Sequence, residues 1–370
     1  MGDQQGKFST AASRWAGVGP YYAMFPTEFA DRVIAKYTSH GDTIIDPFAG
    51  RGTAVFSAAA SGRCGVGVEL NPVGWVYAQA KINPATKTDV LSRLAEVAKL
   101  CAMDQCLPDL PEFFTWCFTP DVRRFLVAAR RHLNWRQSKV DWTLTAILMV
   151  NLHGKREASL SNQMRQTKAM SPDYAINWWR ERGMRPPKVD PVEFLTQRIN
   201  WRYTHGTVEA GDSFVYLGDS TERLAAVKKR VKALSLPNAQ LLLTSPPYCG
   251  VTNYHYDQWL RRWVLGGPPE AVAAGGRHRG KFYDQEKYKR LLYDVFTEAK
   301  PVLRRDAVVY VRTDYREVTL RATVEVLREV FPRKRMFRYA RQIDKKTQTH
   351  LFANKVEKSA EVDVVLLPAA

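Results

Sequence analysis

The strongest constraint on the fold is the alternation of strand and helix patterns in the first quarter of the chain. Two short apolar runs, Thr43–Ile45 and Cys64–Val68, fit buried strands. Helical patterns surround these runs at 28–40, 54–61 and 73–82. Because each predicted strand leads into a helix, we expect the opening half of a doubly wound α/β fold with a parallel sheet.

The rest of the chain divides into a helical stretch and a second set of strands. Between residues 85 and 206 the strand pattern fades, and helices are predicted at 88–102, 121–133, 141–152 and 191–199. Strands return at 213–217, 240–243 and 307–312, and a hairpin is predicted between 335–343 and 361–367. We therefore expect a sheet core formed by residues 1–84 and 207–370, interrupted by a helical insertion at 85–206.

The charge of the chain favours a polyanionic partner. The formal net charge is +18, divided into +1 over residues 1–84, +7 over 85–206 and +10 over 207–370. Phosphate contacts with basic side chains release condensed counterions, so a basic balance of this size suits nucleic acid. A basic protein without such a partner is the alternative, and charge alone does not separate the two.

The sequence gives no indication of a membrane span, a secretory signal or a metal site. No unbroken apolar run approaches the roughly 20 residues of a membrane helix, and the first residues lack the layout of a signal peptide. The cysteines are odd in number and do not sit at zinc-binding spacing. We expect a cytoplasmic protein with free thiols and no metal, of bacterial, archaeal or phage origin.

The turn after the first strand, Asp46 to Thr53, has the composition of a ligand-binding loop. Gly50 and Gly52 let backbone N–H groups approach a ligand, and a helix begins directly afterwards. Glu69 ends the next strand, where a doubly wound fold places a carboxylate for ribose hydroxyls. The Asp46 carboxylate would repel a pyrophosphate, whereas S-adenosylmethionine carries an ammonium and a sulfonium. S-adenosylmethionine is therefore the expected cofactor.

A second loop, Thr244-Ser245-Pro246-Pro247-Tyr248, directly follows a strand of leucines. An exocyclic base amine is a weak nucleophile, because its lone pair is delocalised into the ring. The Ser245 hydroxyl and the Pro246 carbonyl could accept its two N–H groups, and two prolines would hold these acceptors in place. Tyr248 could stack on a base turned out of its helix. The alternative is a proline-stiffened loop with an aromatic plug.

Both loops resemble motifs of the DNA amino-methyltransferases, which form N4-methylcytosine or N6-methyladenine. The first turn resembles the family's DPFxGxGT cofactor motif, and 244–248 resembles its (D/N/S)PP(Y/F) catalytic motif. The segments 19–26, 68–72 and 218–220 are similar to family segments that contact the cofactor. The resemblance implies a Rossmann-like, seven-stranded class I methyltransferase core whose last strand inserts antiparallel, with a helical insertion added here.

The resemblance also implies roles for individual residues. The catalytic residues would be Ser245, Pro246, Pro247 and Tyr248. The cofactor would be held by Tyr22, Phe25, Pro26, Asp46, Pro47, Phe48, Gly50, Gly52, Thr53, Glu69, Leu70, Asn71, Asp219, Ser220 and Thr244.

The chain departs from the family pattern in two ways. The cofactor motif precedes the catalytic motif, and the helical insertion lies between Glu69 and Asp219, so the usual place of a target-recognition domain does not carry over. We expect the insertion to handle the target through groups that suit phosphates or base edges. The candidates are Lys155, Arg156, Asn162, Gln163, Arg165 and Lys168 in the insertion, with Arg261 and Arg262 beyond it. The alternative for 151–168 is a solvated, capped pair of helices.

The functional prediction is methyl transfer from S-adenosylmethionine to a flipped base in double-stranded DNA. Ser at position 245 favours cytosine N4, and adenine N6 is the alternative. An RNA-base amine methyltransferase and a catalytically silent nucleic-acid-binding subunit also remain open. A restriction–modification role fits the family. Cys249 follows Tyr248 rather than a proline, which disfavours the thiolate chemistry of C5-cytosine methylation.

Overall fold

A computed structural model of the chain describes residues 8–20, 26–103, 107–250, 254–272, 284–341 and 361–369. The described residues form two compact units. Those within Tyr22–Ala78, Glu209–Thr252 and Ala274–Ala370 form the first, called here the sheet unit. Those within Met1–Tyr21, Gln79–Val208 and Asn253–Ala273 form the second, called here the helical unit.

The sheet unit is built on a seven-stranded sheet with the order β3-β2-β1-β4-β5-β7-β6. The strands are β1 (Thr43–Asp46), β2 (Cys64–Glu69), β3 (Phe214–Leu217), β4 (Ala239–Thr244), β5 (Leu303–Asp314), β6 (Arg335–Arg341) and β7 (Glu361–Leu367). β7 pairs antiparallel with both β5 and β6, whereas β1 to β5 pair in parallel. This is the topology of a class I methyltransferase, and the predicted fold class is confirmed. Residues 342 and 343 of the predicted hairpin lie outside the described residues.

Five helices cover the two faces of this sheet. They are α2 (Thr27–Tyr37), α3 (Thr53–Ala60), α11 (Ser220–Ala233), α14 (Gln285–Ala299) and α15 (Glu317–Val330). Along β1, Ile44 packs in one apolar core with α2 and α3, and its neighbour Ile45 packs in the other with α11, α14 and α15. Successive side chains of a strand point to opposite faces, so a strand buried on both sides must be apolar throughout. This explains the apolar residues Ile44 and Ile45 in β1 and the three leucines 241–243 in β4.

The glycines of β2 allow α3 to lie close to the sheet. A Cβ added at Gly65 would stand 2.2 Å from the Val55 carbonyl oxygen, and one at Gly67 would stand 2.9 Å from a Val55 methyl group. A larger residue at either position would push α3 away. Since α3 begins at the end of the turn after β1, these glycines also fix the position of that turn.

Nine of the described helices lie wholly within the helical unit. They are α1 (Ala11–Ala16), α5 (Lys87–Met103), α6 (Glu112–Cys117), α7 (Pro120–His132), α8 (Lys139–Asn151), α9 (Pro172–Glu181), α10 (Pro191–Tyr203), α12 (Tyr254–Asp257) and α13 (Trp259–Val264). One further helix, α4 (Pro72–Ile82), is divided between the two units, because the boundary falls after Ala78. None of the described helices has the length and hydrophobicity required to cross a membrane.

The division into units differs from the expected one, because α1, α12 and α13 belong to the helical unit. Trp15 of α1 lies edge-to-face on Tyr203, and its indole N–H donates to the Gly206 carbonyl. Trp259 of α13 lies 4.8 Å from Phe113, ring centre to ring centre. The expected insertion was continuous, whereas aromatic contacts add two distant segments to it.

Candidate active site

The turn after β1 is shaped by Asp46 and two glycines. The Phe48 N–H donates to Asp46 Oδ1 at 3.0 Å, which closes the first part of the turn. Gly50 and Gly52 adopt φ of +54° and +76°. A Cβ on Gly52 would also stand 2.7 Å from that of Ala78. The left-handed backbone and this close approach both require glycine at position 52.

Glu69, at the end of β2, joins this turn to the neighbouring strands. Its Oε2 accepts from the Gly50 N–H at 2.6 Å, and its Oε1 accepts from the Asn71 N–H at 2.7 Å. Its backbone carbonyl accepts from the Gly218 N–H at 2.9 Å, after β3. A single residue therefore sets the spacing of three strand ends.

Asn71, two residues after Glu69, has a buried amide donor. Its Oδ1 accepts from the Val73 N–H at 3.0 Å in the first turn of α4. Its Nδ2 is buried and has no hydrogen-bond partner among the residues that the structure describes. A buried polar group without a partner is costly, so this donor fits an acceptor supplied by a ligand. Leu70, between Glu69 and Asn71, is half-buried.

The third strand end contributes Asp219 and Ser220, which are both buried. Asp219 Oδ1 accepts from the N–H and the hydroxyl of Thr221, at 3.1 and 2.8 Å, and so caps the start of α11. The Ser220 hydroxyl donates to the Pro47 carbonyl. Ser220 therefore holds the β3 end against the turn after β1.

The loop predicted to be catalytic, Thr244–Tyr248, begins on the strand beside this turn. β4 pairs with β1, and the Thr244 hydroxyl donates to Asp46 Oδ1 at 2.6 Å. The two residues are 198 positions apart in the chain. Asp46 thus holds both its own turn and the first residue of the loop at 244–248. The structure brings together the two motifs that the sequence predicted at one sheet edge.

The electrostatics of this edge favour a cation. Asp46 and Glu69 are 2% and 9% exposed, and their hydrogen-bond partners among the described residues are neutral N–H and hydroxyl groups. Burial raises the pKa of Asp46 to about 7 and that of Glu69 to about 8. A cationic ligand would favour the ionised forms, so these residues fit the ammonium and sulfonium of S-adenosylmethionine.

The other predicted cofactor residues are placed as follows. Thr53 opens α3 and is buried, and Phe48 is half-buried. Pro26 is exposed and immediately precedes α2. Tyr22 and Phe25 lie outside the described residues.

The second half of the catalytic loop is tied to the end of β5 by Arg316. Its Nη2 donates to the Cys249 carbonyl at 2.6 Å, and its Nε donates to Asp314 Oδ2 at 2.5 Å. Cys249 itself is buried, and burial raises the pKa of its thiol, so a thiolate nucleophile is disfavoured. Neither Arg316 nor Asp314 was predicted, because no local motif marks them.

The residues of the loop differ in exposure. Ser245 and Pro247 are half-buried, whereas Pro246 is buried. Tyr248 is only 8% exposed. A base could stack on this ring only if the loop exposed more of it than in this structure.

Arg51 is a further buried residue that the sequence did not single out. It occupies the variable position between Gly50 and Gly52, and its Nε donates to the Thr53 hydroxyl at 3.3 Å. Burial lowers the pKa of its guanidinium to about 10. The residue stands within the predicted motif, but the pattern of the motif gives no reason to bury a cation there.

The predicted nucleic-acid contacts all lie in the helical unit, and two of them need correction. Arg261 is fully buried and donates to two backbone carbonyls, those of Met149 and Gln166, and to the Gln258 side chain. Asn162 is also buried, and its Nδ2 donates to the Trp116 carbonyl at 3.2 Å. Both residues hold the unit together from inside, where a nucleic acid cannot reach them.

The other candidates are at least partly accessible. Lys155 and Arg165 are exposed, whereas Arg156, Gln163, Lys168 and Arg262 are half-buried. Lys168 pairs with Asp257 at 2.6 Å. His153, in the same segment, is fully buried, and its pKa is held well below the ordinary value by burial and by Arg261.

The N-terminal part of the chain is similar to known proteins. Residues 4–75 match a family model described as DNA methylase, N6_N4_Mtase. The Type II methyltransferase M.MthZI of Methanothermobacter thermautotrophicus is 38% identical over 65 residues, which are 18% of this chain and 18% of that protein. The chain thus matches less than a fifth of the length of that relative.

Similar solved structures include the rRNA methyltransferase aviRa from Streptomyces viridochromogenes and TrmN from Thermus thermophilus. The first has a TM-score of 0.33 and 14% identity, covering 96% of this chain and 92% of its own. The second has a TM-score of 0.36 and 9% identity, covering 97% and 53%. The fold is defined by the strand order of the sheet. Over residues 4–75, the chain is therefore similar to the DNA amino-methyltransferases, a family whose methyl donor is S-adenosylmethionine.

Proposed function

We propose that the protein transfers a methyl group from S-adenosylmethionine to the exocyclic amine of a base in double-stranded DNA. The observation that carries this proposal is the hydrogen bond from Thr244 to Asp46 at 2.6 Å. It joins a turn suited to the cofactor with a loop suited to the amine. Neither motif alone would support the reaction, because methyl transfer requires donor and acceptor at one site.

The cofactor would be held by groups at the ends of β1, β2 and β3. Asp46 would attract its positive charge, and Glu69 would accept hydrogen bonds from ribose hydroxyls. The unpaired Nδ2 of Asn71 would donate to an acceptor on the ligand, and Asp219 would approach the adenine amine. The bound cofactor supplies a methyl group activated by its sulfonium.

The base amine would be held by the loop at 244–248. The Ser245 hydroxyl and the Pro246 carbonyl would accept its N–H groups and direct the nitrogen lone pair at the methyl carbon. As the C–N bond forms and the S–C bond breaks, the nitrogen becomes positively charged and then loses a proton to water. Positioning and pre-organised acceptors would provide most of the rate enhancement, without a covalent intermediate on the enzyme.

Cytosine N4 is the proposed target atom, with adenine N6 as the alternative. Serine at position 245 supports cytosine through the family resemblance. Flipping of the base out of duplex DNA also belongs to the proposal, since an exocyclic amine inside a base pair is inaccessible to the loop. The helical unit would provide contacts to the target.

Methyl transfer from labelled S-adenosylmethionine to unmethylated genomic DNA and to bulk RNA tests this function. The nucleosides of both products would be separated and identified by mass spectrometry. The variant Tyr248→Ala should lose activity, and Tyr339→Ala, which removes an exposed tyrosine from β6 of the same unit, should keep it.

N4-methylcytosine in DNA, lost in Tyr248→Ala alone, would support the full proposal. N6-methyladenine would retain the mechanism and overturn the target atom. Label only in RNA would reassign the substrate class. The absence of label with measurable cofactor binding would indicate a catalytically silent subunit.

A further inference from the structure

Four arginines and two tryptophans of the helical unit are connected by contacts or by adjacency in the chain around the end of α9, and they are called here the arginine–tryptophan face. It consists of Arg156, Arg180, Arg182 and Arg185 with Trp116 and Trp178. The guanidiniums of Arg185 and Arg180 lie 4.4 and 5.5 Å from the ring centre of Trp116. That of Arg182 lies 4.6 Å from the ring centre of Trp178. Three such contacts thus come from six consecutive residues, 180–185.

Hydrogen bonds hold this face in a fixed arrangement. Glu112 Oε1 accepts from the Trp116 indole N–H at 2.9 Å and from Arg180 at 3.2 Å. The Nε of Arg156 donates to the Arg185 carbonyl at 2.9 Å. The segment after α9 is therefore connected both to the indole and to the loop that carries Arg156.

The positive charge of the face is only partly neutralised. Arg180 pairs with Glu112, and Arg182 pairs with Glu181 at 3.1 Å. Within the part of the chain that the structure describes, Arg156 and Arg185 form no ion pair. The side chains of Arg180 and Arg182 are 56% and 49% exposed despite their partners. Two cations of the four thus lack a carboxylate.

A stacked guanidinium is well suited to bind a phosphate. Its flat face rests on the indole, while the N–H groups lie in the plane of the guanidinium and point away from the ring stack. These edges match the two oxygens of a phosphodiester, and stacking reduces the conformational freedom lost on binding. Arg180, Arg182 and Arg185 are exposed, and their guanidiniums lie over indole rings, so they suit an anion with repeated phosphates.

We propose that the arginine–tryptophan face binds the sugar–phosphate backbone of the DNA substrate. This inference rests on the proposed function and names the surface that would position its substrate. The contacts carry no base specificity, because guanidinium edges that bind phosphate do not read base edges. The face sets affinity and register, and the identity of the target base is determined elsewhere.

The test is the salt dependence of binding to a fluorescently labelled DNA duplex, measured by anisotropy between 50 and 200 mM salt. In the test variant, Arg180→Gln, Arg182→Gln and Arg185→Gln are combined. The control combines Arg321→Gln, Arg328→Gln and Arg333→Gln, which remove the same charge from exposed positions of the sheet unit. Thermal unfolding and binding of S-adenosylmethionine check that both variants fold.

Each phosphate contact contributes about 0.9 to the slope of log affinity against log salt, so the test variant should lose about 2 to 3 in slope. Affinity near 100 mM salt should fall by at least about tenfold, while the control stays within about threefold of the wild type. Equal slopes in the two variants would overturn the proposal, as would absence of DNA binding by the wild type. Tighter binding to an RNA of equal length, lost in the test variant, would overturn the assignment to DNA.

This experiment separates the failure of the two proposals. Wild-type protein that binds DNA through this face but transfers no methyl group would contradict the proposed function and leave the surface assignment standing. Methyl transfer by the wild type, with DNA affinity unchanged in the test variant, would contradict the surface assignment alone.

Discussion

Buried charged groups serve different purposes in the two units of the protein. In the sheet unit, Asp46 and Glu69 have only neutral partners among the described residues, and burial raises both pKa values. In the helical unit, buried Arg261 donates to three acceptors of the protein, and buried Asp141 accepts from Arg93 and from the Asn134 N–H. The first pattern is suited to a charged ligand, and the second holds the fold together.

The largest expected contrast comes from removing one charge of each kind. Asp46→Asn should reduce kcat/KM for methyl transfer by at least about a hundredfold, because an electrostatic contact to the cofactor and a bond to the catalytic loop change together. Arg261→Met should leave cofactor affinity within about threefold and lower the free energy of unfolding by about 3 kcal/mol, since buried acceptors lose their donor.

Calorimetric binding of S-adenosylmethionine and urea unfolding measure the two effects. The contrast would fail if Asp46→Asn bound cofactor and transferred methyl groups normally. It would also fail if Arg261→Met unfolded at the wild-type urea concentration.

A matched pair of glycines gives the next contrast. Gly52 and Gly206 share a φ of +76°, but only Gly52 lies against another residue, Ala78. Gly206→Ala should cost about 1 kcal/mol of unfolding free energy through the left-handed backbone alone. Gly52→Ala should cost about 3 kcal/mol, because the added methyl group also collides with α4. Equal losses in urea unfolding would show that the close approach at Gly52 is not important for stability.

Within the sheet unit, Arg316 should affect turnover more than cofactor binding. Its hydrogen bond to the Cys249 carbonyl holds the segment directly after Tyr248. The residues predicted to hold the cofactor all come before Ser245 in the chain. Arg316→Ala should lower kcat by about tenfold to a hundredfold, as expected when a positioning contact is lost. The dissociation constant for S-adenosylmethionine should change by less than about threefold.

Guanidinium added in solution should restore part of the turnover of Arg316→Ala, and Arg316→Lys should retain an intermediate rate. A variant with normal kcat, or one that loses cofactor affinity to the same extent as turnover, would contradict a positioning role.

The smallest contrast is in the response to pH. The pKa values of Asp46 and Glu69, about 7 and about 8, are raised above the ordinary range, so both carboxyls hold protons in the folded protein where the unfolded chain has lost them. The stability that these carboxyls contribute is therefore highest below about pH 4, the pKa of an unfolded carboxyl. It falls as the pH rises to their folded pKa values of about 7 and about 8. Asp46→Asn should flatten that decline in urea unfolding between pH 5 and 8.

Cofactor affinity should follow pH in the opposite direction. A cation binds the ionised carboxyls, so affinity should rise with pH by up to about tenfold per unit below pH 7. S-adenosylhomocysteine lacks the sulfonium and should show a shallower rise by calorimetry. An affinity for S-adenosylmethionine that does not vary between pH 6 and 8 would contradict a charge-based site.

The sequence was sufficient to predict the sheet and the position of two loops at one sheet edge, because their signals are local. Apolar runs followed by Asp46 and by Thr244 mark strand ends, and neighbouring parallel strands end at one edge. Signals that depend on distant contacts were missed. Polar residues such as Asn162 and Arg261 resemble surface residues in sequence, and only tertiary structure shows that backbone carbonyls surround the buried guanidinium of Arg261.

Weak local signals also explain why some helices of the helical unit were not predicted. α1, α6 and α9 contain only 6, 6 and 10 residues, too short for a clear periodic pattern. Of the arginine–tryptophan face only Arg156 was predicted, since its aromatic and basic residues come from separate segments. Arg316 was missed for a similar reason, as its partners include an aspartate at a strand end and a backbone carbonyl 67 residues away.

Single-turnover methyl transfer by Thr244→Val tests the connection between cofactor turn and catalytic loop most directly. The substitution removes the hydroxyl that donates to Asp46 and keeps the shape of the side chain. With saturating cofactor and duplex DNA, the rate of label transfer should fall by at least about tenfold, whereas the dissociation constant for S-adenosylmethionine should stay within about threefold. A wild-type rate in Thr244→Val, or no transfer by the wild type, would contradict the proposed site.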